Sequence, residues 1–275
     1  MRIALIQQHA SEDPADNRAR GLGALEAAAR GGAQLICFAE LGFEPFYPQS
    51  PAEGDVSSLA ETIPGPTTEA VCSLARRLGV AVVLNLFERD GGRTYDSSPV
   101  IDSDGTILGK TRMVHVPDYA CFHEQDYYHP GDRGAPVYHT AVGKVGVAIC
   151  YDRHYPEYMR ALGVAGAELV VIPQAGTVGE WPEGLYEAEV RTAAFQNGYF
   201  AALCNRVGEE DRLTFAGESF VVSPDGGLIG QALAGEDDLL VVDVDLARCQ
   251  ESPARKLFWR DRRPELYREW LATNG

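Results

Sequence analysis

The spacing of apolar residues divides the first third of the chain into alternating strands and helices. Short apolar runs predict strands at 2–8, 34–39 and 80–87. Between them, apolar residues recur at helical spacing, which predicts helices at 15–30 and 66–79. Regular alternation of strands and helices is typical of the α/β class.

A hairpin and several further elements are indicated in the rest of the chain. The Asp-Gly turn in D-S-D-G (102–105) predicts pairing of strand 95–101 with strand 106–112. The later elements are strands 136–142 and 143–149, helix 156–165, strand 168–173, helix 183–197, strand 199–205 and three strands between 215 and 244. Because strands outnumber helices and the helices recur in pairs, we expect two sheets packed face to face with helices outside.

Two segments of the chain repeat each other. The segment G-G-A-Q-L-I-C-F-A-E (31–40) aligns with A-G-A-E-L-V-V-I-P-Q (165–174), and each follows an alanine-rich helix. Two copies of a helix–strand unit are therefore indicated, with Glu40 in one copy matching Gln174 in the other. The two copies are therefore expected to have nearly the same backbone but different chemistry, because the matching positions hold different side chains.

The strongest chemical signal is Cys150, in K-V-G-V-A-I-C-Y-D-R-H-Y-P-E (144–157). Alternating apolar residues before it predict a strand and Pro156 signals a helix start, so the thiol is expected at a strand-to-helix turn. A helix N-terminus favours thiolate over thiol, which suits a nucleophile. A small buried apolar residue is the ordinary interpretation of a cysteine, and it is adopted for Cys37, Cys72, Cys204 and Cys249.

Glu40 is the candidate proton acceptor for that thiol. It ends the apolar run in Q-L-I-C-F-A-E-L (34–41), so its carboxylate is expected to lie at the end of a strand. A buried carboxyl with a raised pKa could take the thiol proton. A solvated loop residue is the alternative for a Glu at the end of a strand.

Over essentially its whole length the chain resembles the nitrilase, or carbon–nitrogen hydrolase, superfamily. The resemblance is carried by F-A-E-L with Glu40, by V-A-I-C-Y-D-R-H-Y-P-E with Cys150, and by V-H-V-P-D followed by H-E-Q-D-Y-Y-H-P-G-D with Glu124. It implies that Glu40 is the base, Cys150 the nucleophile and Glu124 a residue beside the scissile bond. It also implies a four-layer α-β-β-α sandwich with a pseudo-twofold internal repeat, homodimers or larger homo-oligomers, and no cofactor.

One position departs from the family pattern. The resemblance places a catalytic Lys two positions before His115, where this chain has Met113. Lys110 and Arg112 are close in sequence, but the two-residue period of a strand points them to the face opposite residue 113. Losing one donor to an oxyanion costs on the order of 2.7–4 kcal/mol. A natural variant with altered chemistry, a non-catalytic relative that still binds ligand, and an engineered change all remain open.

The residues after the nucleophile indicate a substrate class. Tyr151, Arg153 and His154 resemble the carbamoylase branch of the family, in which Arg or Arg-His binds the carboxylate of an N-carbamoyl amino acid. A guanidinium can hold a carboxylate through two parallel hydrogen bonds. An ion pair of Arg153 with Asp152, Glu157 or another acidic residue is the alternative. The remaining candidates for the pocket wall are aromatic: Phe46, Tyr47 and Tyr119.

These features predict a thiol-dependent hydrolase of non-peptide C–N bonds, acting through a covalent intermediate at Cys150. The expected target is the amide or N-carbamoyl group of a small carboxylate-bearing substrate. A family member with impaired or altered catalysis that binds a small ligand is one alternative, and an ω-amidase or nitrilase-type activity is another. A Cys–His hydrolase of a different fold would need His154 beside the thiol, and the whole-chain resemblance argues against it.

Composition limits the remaining possibilities. The 275 residues, 45% of them hydrophobic, suit one hydrolase domain at 1–245, followed by an arm at 246–275 that we expect to pack on a neighbouring subunit. A net charge of −16 argues against nucleic acid or an anionic membrane as partner. No apolar stretch suggests a membrane span or signal peptide, so the cytoplasm is the expected location.

The long loop at 113–135 is expected to be ordered and functional, because it is rich in aromatic residues. Its histidines lack the spacing of metal ligands, and the six cysteines of the chain show neither zinc nor disulfide spacing. No metal site is therefore expected.

Overall fold

A computed structural model describes residues 1–272 of the chain. Most of the predicted strands are present, and they form two large sheets. In chain order the strands are β1 (Arg2–Gln7), β2 (Leu35–Phe38), β3 (Ala81–Val83), β4 (Leu86–Asp90), β5 (Arg93–Ile101), β6 (Ile107–Arg112), β7 (Val137–Thr140), β8 (Gly143–Val147), β9 (Leu169–Gln174), β10 (Phe200–Asn205), β11 (Val207–Glu209), β12 (Thr214–Ala216), β13 (Phe220–Val222), β14 (Leu228–Gln231) and β15 (Asp238–Asp243).

Four longer helices cover the sheets, and two shorter ones follow near the C-terminus. They are α1 (Pro14–Arg30), α2 (Pro66–Leu78), α3 (Pro156–Val164), α4 (Leu185–Asn197), α5 (Arg248–Glu251) and α6 (Pro264–Leu271). Proline stands in the first turn of α1, α2 and α3, where its missing N–H leaves no hydrogen bond unmade. Each helix in the described part of the chain is too short or too polar to cross the apolar core of a bilayer.

The two large sheets are built on the same plan. The first has the order β15-β1-β2-β3-β5-β4, with β6 paired to β5, and the second has the order β14-β13-β10-β9-β8-β7. Three parallel strands form the middle of each sheet, β1, β2 and β3 in the first and β8, β9 and β10 in the second. Residue 40 follows β2 and residue 174 ends β9, so the two repeated segments occupy corresponding central strands.

The sheets pack face to face between two layers of helices. Apolar side chains from both sheets fill the space between them, as Leu5 and Cys37 do with Val171 and Ala202. The outer face of the first sheet packs against α1 and α2, and that of the second against α3 and α4. The predicted four-layer α-β-β-α sandwich is therefore confirmed.

Two predicted strand patterns differ in detail from the structure. The strand predicted at 80–87 is interrupted at Leu84 and Asn85, although β3 and β4 pair with β5 in one continuous antiparallel register. Leu84 lies opposite Pro99, which has no N–H to donate to the ladder. The region 215–244 contains four strands, β12 to β15, and not the three predicted.

The C-terminal segment packs partly on its own chain. A guanidinium nitrogen of Arg255 donates to the carbonyl of Gly163 in α3 (3.2 Å), and the indole of Trp259 donates to the carbonyl of Gln196 in α4 (3.1 Å). Contact of the predicted arm 246–275 with a neighbouring subunit stays a prediction. Its last three residues, 273–275, lie outside the described part of the chain.

Candidate active site

Cys150 lies at a sharp turn after β8. Its φ of +43° is unusual for a residue with a side chain, and a 3-10 turn at Cys150–His154 begins with it. A strained turn of this kind projects a side chain from the end of a strand. The side-chain nitrogen of Gln174 lies 3.2 Å from the sulfur, and the backbone N–H of Ala175 also donates to it.

The environment of Cys150 favours the thiol and not the thiolate, so the expectation from the helix N-terminus is wrong for the resting protein. Burial raises the pKa of Cys150 well above its usual value, and the charges of Glu40 and Glu124 raise it further, whereas Arg153 lowers it. The helix α3 begins only at Pro156, and the 3-10 turn separates it from the sulfur. Activation of this thiol therefore needs a base.

Glu40 lies at the end of β2, where the chain turns sharply. The next residue, Leu41, has a φ of +45°, and its N–H donates to the side chain of Asn85 (2.7 Å). The buried guanidinium of Arg206 donates to the Glu40 carbonyl (2.9 Å). The Glu40 carboxyl is fully buried, as the sequence analysis predicted for a proton acceptor, and it is not a solvated loop residue. Burial, followed by the charges of Asp96 and Glu124, raises its pKa well above the usual value.

Asp96 is a site residue that the sequence analysis missed. It lies within β5, is buried, and accepts a hydrogen bond from Asn85 (2.6 Å). Burial raises its pKa to about 7, although its contacts with Glu40 and Asn85 lower it. Two carboxyls in contact cannot both be ionised without strong repulsion, so Glu40 and Asp96 are suited to share one proton. The sequence did contain a signal for this residue, because an Asp inside a predicted strand, at a position facing the core, is unusual.

Glu124 and Tyr128 close the other side of the carboxyl cluster. Glu124 opens a 3-10 turn (Glu124–Asp126) within the long loop, and the N–H of Tyr128 donates to its carbonyl (2.8 Å). Both side chains are buried, and no described group donates to the Glu124 carboxyl or bonds to the Tyr128 hydroxyl. Burial first, then the charge of Asp96, raises the pKa of each side chain. The long loop is ordered and contributes to the site, as its composition predicted.

Met113 follows the last residue of β6 and lies in the same buried apolar cluster as Cys150. Its N–H donates to the carbonyl of Asp96 (3.0 Å), and its side chain is 1% exposed. Position 113 is therefore joined through its backbone to Asp96 of the carboxyl cluster and lies in the same part of the core as the nucleophile. A thioether there brings no positive charge.

The lysines of the chain lie elsewhere. Lys110 and Arg112 contact the buried carboxylate of Glu88, to which Arg112 donates twice (2.8 and 2.9 Å). They share the face of β6 that the strand period predicted. Lys144 and Lys256 are exposed. These three lysines are all that the sequence contains, so no lysine replaces the one missing at position 113.

Asp152 joins the nucleophile turn to the loop after β6. Its carboxylate is buried and accepts from the backbone N–H groups of Val114 (3.2 Å) and His115 (3.0 Å) and from the ring of His115 (2.7 Å). That ring stacks on Tyr155 with 3.5 Å between centroids. Asp152 therefore pairs with His115 and not with Arg153, which was one of the alternatives.

Arg153 is buried beneath the site and held on several sides. One terminal nitrogen donates to the carbonyl of Cys150 (2.9 Å) and to Gln174 (2.8 Å). Its Nε lies 3.5 Å from Glu189, and the guanidinium lies over the ring of Tyr186 at 4.5 Å. Arg153 is therefore ion-paired with an acidic residue of its own chain, which was the alternative to substrate binding, and the partner is Glu189. Recognition of a substrate carboxylate by Arg153 stays a prediction.

Three further predicted residues meet in one wall near the sulfur. His154 bonds to Glu189 (2.7 Å) and meets the ring of Tyr151 edge-on at 5.0 Å. Tyr119 donates to Glu180 (2.6 Å) and lies 6.3 Å from Tyr151. Burial and the charge of Glu180 raise the pKa of Tyr119, as does its proximity to the thiol.

Phe46 and Tyr47 belong to an aromatic cluster beside this wall. Phe46 meets Phe122 edge-on at 5.6 Å, and Phe122 lies 4.8 Å from Tyr119. Tyr47 lies against Phe87 at 6.2 Å. Both residues thus support the wall by packing, and direct contact with a substrate stays a prediction. No group of three potential metal ligands occurs among residues 1–272.

Comparison with known proteins agrees with this geometry. The sequence profile of the carbon-nitrogen hydrolase family matches residues 2–254. An N-carbamoylputrescine amidase of Solanum lycopersicum is 34% identical over 289 residues, which cover 99% of this chain and 95% of that protein.

Two solved structures have the same fold. A carbon-nitrogen hydrolase from Helicobacter pylori G27 superposes with a TM-score of 0.93 at 29% identity and covers 100% of this chain and 99% of its own. An amidase from Nesterenkonia sp. AN1, solved as a Cys-to-Ala variant with butyramide, has a TM-score of 0.83 at 29% identity, covering 98% of this chain and 97% of its own. Another variant of that amidase carries acrylamide added at its active-site cysteine.

Proposed function

Because the chain belongs to the carbon–nitrogen hydrolase family, we propose that it hydrolyses a small linear amide or N-carbamoyl compound through a thioester at Cys150. The observation that carries this proposal is the meeting of the Cys150 thiol with two buried carboxyls, Glu40 after the central strand β2 and Glu124 in the long loop. A thiol with a raised pKa is a poor nucleophile alone, and a buried carboxylate is a strong base for it.

In the first half of the reaction, ionised Glu40 takes the thiol proton and the sulfur attacks the planar carbon of the amide or ureido group. The tetrahedral intermediate carries an oxyanion, which the backbone N–H groups beside Cys150 hold. The C–N bond then breaks. Ammonia or an amine leaves with the proton returned by Glu40, and a thioester remains on the sulfur.

In the second half, water enters and Glu40 takes one of its protons as the oxygen attacks the thioester. The carbon–sulfur bond breaks, the proton passes back to the sulfur, and the acid product leaves. Glu124 lies on the side of the leaving nitrogen in this scheme and orients the substrate amide. Every atom and proton is accounted for by the chain, the substrate and one water, so no cofactor is needed.

The names of similar proteins support both substrate types. One relative is an N-carbamoylputrescine amidase, and a solved amidase was bound to butyramide. Both compounds present a planar carbon bearing an –NH2 group to a thiol. The wall of Tyr119 and Tyr151 beside the sulfur suits a small planar group of this kind.

Ammonia release from butyramide and from N-carbamoyl-β-alanine tests the proposal. We expect turnover that Cys150→Ala abolishes, with the acyl adduct on Cys150 visible by intact mass at early times. Cys72→Ser is the matched control, because Cys72 is a half-buried cysteine outside the site and its loss should leave turnover unchanged. Turnover that persists in Cys150→Ala would contradict the assignment of the nucleophile.

A further inference from the structure

The site contains more buried carboxyl groups without a cationic partner than the proposed mechanism uses. Glu40, Asp96 and Glu124 are each at most 1% exposed. Glu40 and Asp96 meet only each other, Asn85 and the Cys150 thiol, and neither carboxyl oxygen of Glu124 has a hydrogen-bond partner among the described groups. The hydroxyl of Tyr128 faces the same space and is also unpaired. Buried polar atoms are ordinarily satisfied, so this set is built to meet a partner that brings hydrogen-bond donors.

No basic side chain of the described residues supplies those donors. One terminal nitrogen of Arg153 is bound to the Cys150 carbonyl and to Gln174, and its other two nitrogens form no hydrogen bond with the carboxyls of the cluster. Arg112 is bound to Glu88. The guanidinium of Arg206 donates to the carbonyls of the Glu40 turn and pairs with Glu210. The charge that would balance the cluster has to come from outside the chain.

We propose that the cluster of Glu40, Asp96, Glu124 and Tyr128 binds a primary ammonium group carried by the substrate, close to its reacting carbon. The substrate class is a small amide or ureide with a protonated amine within two or three atoms of the scissile C–N bond. This proposal rests on the hydrolase function above, which identifies the reacting carbon. An ammonium offers three N–H donors on one tetrahedral atom, and the cluster offers acceptors on several sides.

The binding of a cation also explains how the site becomes active. Without one, burial keeps the carboxyls protonated, and a protonated Glu40 cannot accept the thiol proton. A cation among the carboxyls favours their ionised form, so its binding releases protons to the solvent. The thiol is then activated most fully when a substrate that carries an ammonium is in place.

Three small amides that differ only in their terminal group test the charge requirement by calorimetry on the full-length Cys150→Ala protein. Butyramide ends in a methyl group, β-alaninamide has an ammonium at that place, and succinamate has a carboxylate. We expect β-alaninamide to bind about 10- to 100-fold more tightly than butyramide, and succinamate more weakly than both. Titration at pH 7 in two buffers of different ionisation enthalpy should show proton release with β-alaninamide and none with butyramide.

Two substitutions at position 113, made in the Cys150→Ala protein, serve as a matched pair. Met113→Lys brings an ammonium of its own to the cluster, so the advantage of β-alaninamide should disappear. Met113→Leu brings no charge, so the advantage should remain. Should Met113→Lys not fold, Asp96→Asn replaces it, and removal of one carboxyl should reduce the advantage several-fold. Equal affinity for β-alaninamide and butyramide in Cys150→Ala, without proton release, overturns the proposal.

Turnover by the unsubstituted protein separates this proposal from the hydrolase function. Hydrolysis of butyramide at least as fast as β-alaninamide, with equal binding of the two, leaves the hydrolase standing and rejects the ammonium site. Tight binding of β-alaninamide without hydrolysis of any amide or ureide supports the ammonium site and rejects the hydrolase function. Fast hydrolysis of β-alaninamide with slow hydrolysis of butyramide supports both.

Discussion

The resemblance to the family predicts a catalytic lysine at the position of Met113, whose side chain carries no charge. The residue is buried with Cys150, and the neighbouring Lys110 and Arg112 are held by Glu88 on the other face of β6. In the proposed mechanism, the oxyanion of a neutral substrate therefore has no lysine ammonium beside it. A missing donor of this kind is worth about 2.7–4 kcal/mol of transition-state stabilisation.

Met113→Lys should raise the hydrolysis of neutral amides, because Lys is close to Met in length and adds the ammonium. We expect kcat/KM for butyramide to rise about 10²- to 10³-fold, measured as ammonia release. Met113→Leu is the control for a change of shape alone and should give no rise. A Lys variant that is folded but no faster than the parent would mean that the site is built for different chemistry.

Asp96 should shape the pH dependence of both activity and stability. Its charge raises the pKa of Glu40, so Asp96→Asn should move the rise of kcat/KM to lower pH. Its own pKa is raised from 3.8 to about 7, so the folded state binds its proton more tightly than the unfolded state. The stability that this proton contributes is present at low pH and is lost as the pH rises towards 7.

Urea unfolding at pH 5 and at pH 8 measures that contribution. The free energy of unfolding should fall less between these pH values in Asp96→Asn than in the parent, because an amide does not titrate there. Asp211→Asn is the control, since the Asp211 side chain is 75% exposed and its loss should leave the fall unchanged. An identical fall in all three proteins would place the Asp96 proton elsewhere.

At the scale of elements, the sequence predicted the positions that strand ends determine. Glu40 follows β2 in the first sheet and Cys150 follows β8 in the second, so the strand pattern placed each residue at the end of a central strand. The face-to-face packing of the two sheets brings them together. Asp96 and Asp152 act through partners distant in sequence, Glu40 and His115, and no local pattern predicts those contacts.

The thiolate prediction failed for a related reason. Local sequence indicates a helix start after Cys150, whereas burial and nearby carboxyls come only from the tertiary structure. Burial and these charges raise the pKa of the thiol, and a helix end acts only over about one turn. The electrostatics of a buried site therefore could not be predicted from the residues adjacent to it.

Asp152 should matter for the fold of the nucleophile turn as a whole. Asp152→Ala removes three hydrogen bonds that tie the turn to Val114 and His115, and it leaves buried donors unpaired. We expect the free energy of unfolding in urea to fall by about 2–4 kcal/mol and hydrolysis to fall with it. Asp152→Asn keeps an acceptor and should lose less. Equal stability of the Ala variant and the parent would show that the turn is fixed by other contacts.

At the scale of the whole molecule, the layered sandwich was predictable because it depends on patterns repeated along the chain. The apolar strands 34–39 and 168–173 and the helices before them correspond to β2 and β9 with α1 and α3, as the internal repeat indicated. The family matches residues 2–254, which confirms the resemblance. How the chain associates with other copies depends on surfaces that lack such a pattern, and it stays a prediction.

The C-terminal arm provides a test of that association. In α6 no residue is buried, and Leu271 is 67% exposed, so this helix presents apolar surface that a neighbouring subunit could cover. Removal of residues 262–275 should lower the mass of the assembly in solution, measured by light scattering during gel filtration. It should leave the melting temperature nearly unchanged, because the preceding contacts of Arg255 and Trp259 with α3 and α4 are kept.

A matched pair of point substitutions separates this effect from a general loss of apolar surface. Leu271→Ser should weaken the assembly, whereas Leu233→Ser, which removes a similarly exposed leucine side chain from a loop, should not. If the truncated protein and both point variants keep the mass of the parent, the arm serves only its own chain. Any oligomer must then form through other surfaces, such as the outer faces of α3 and α4.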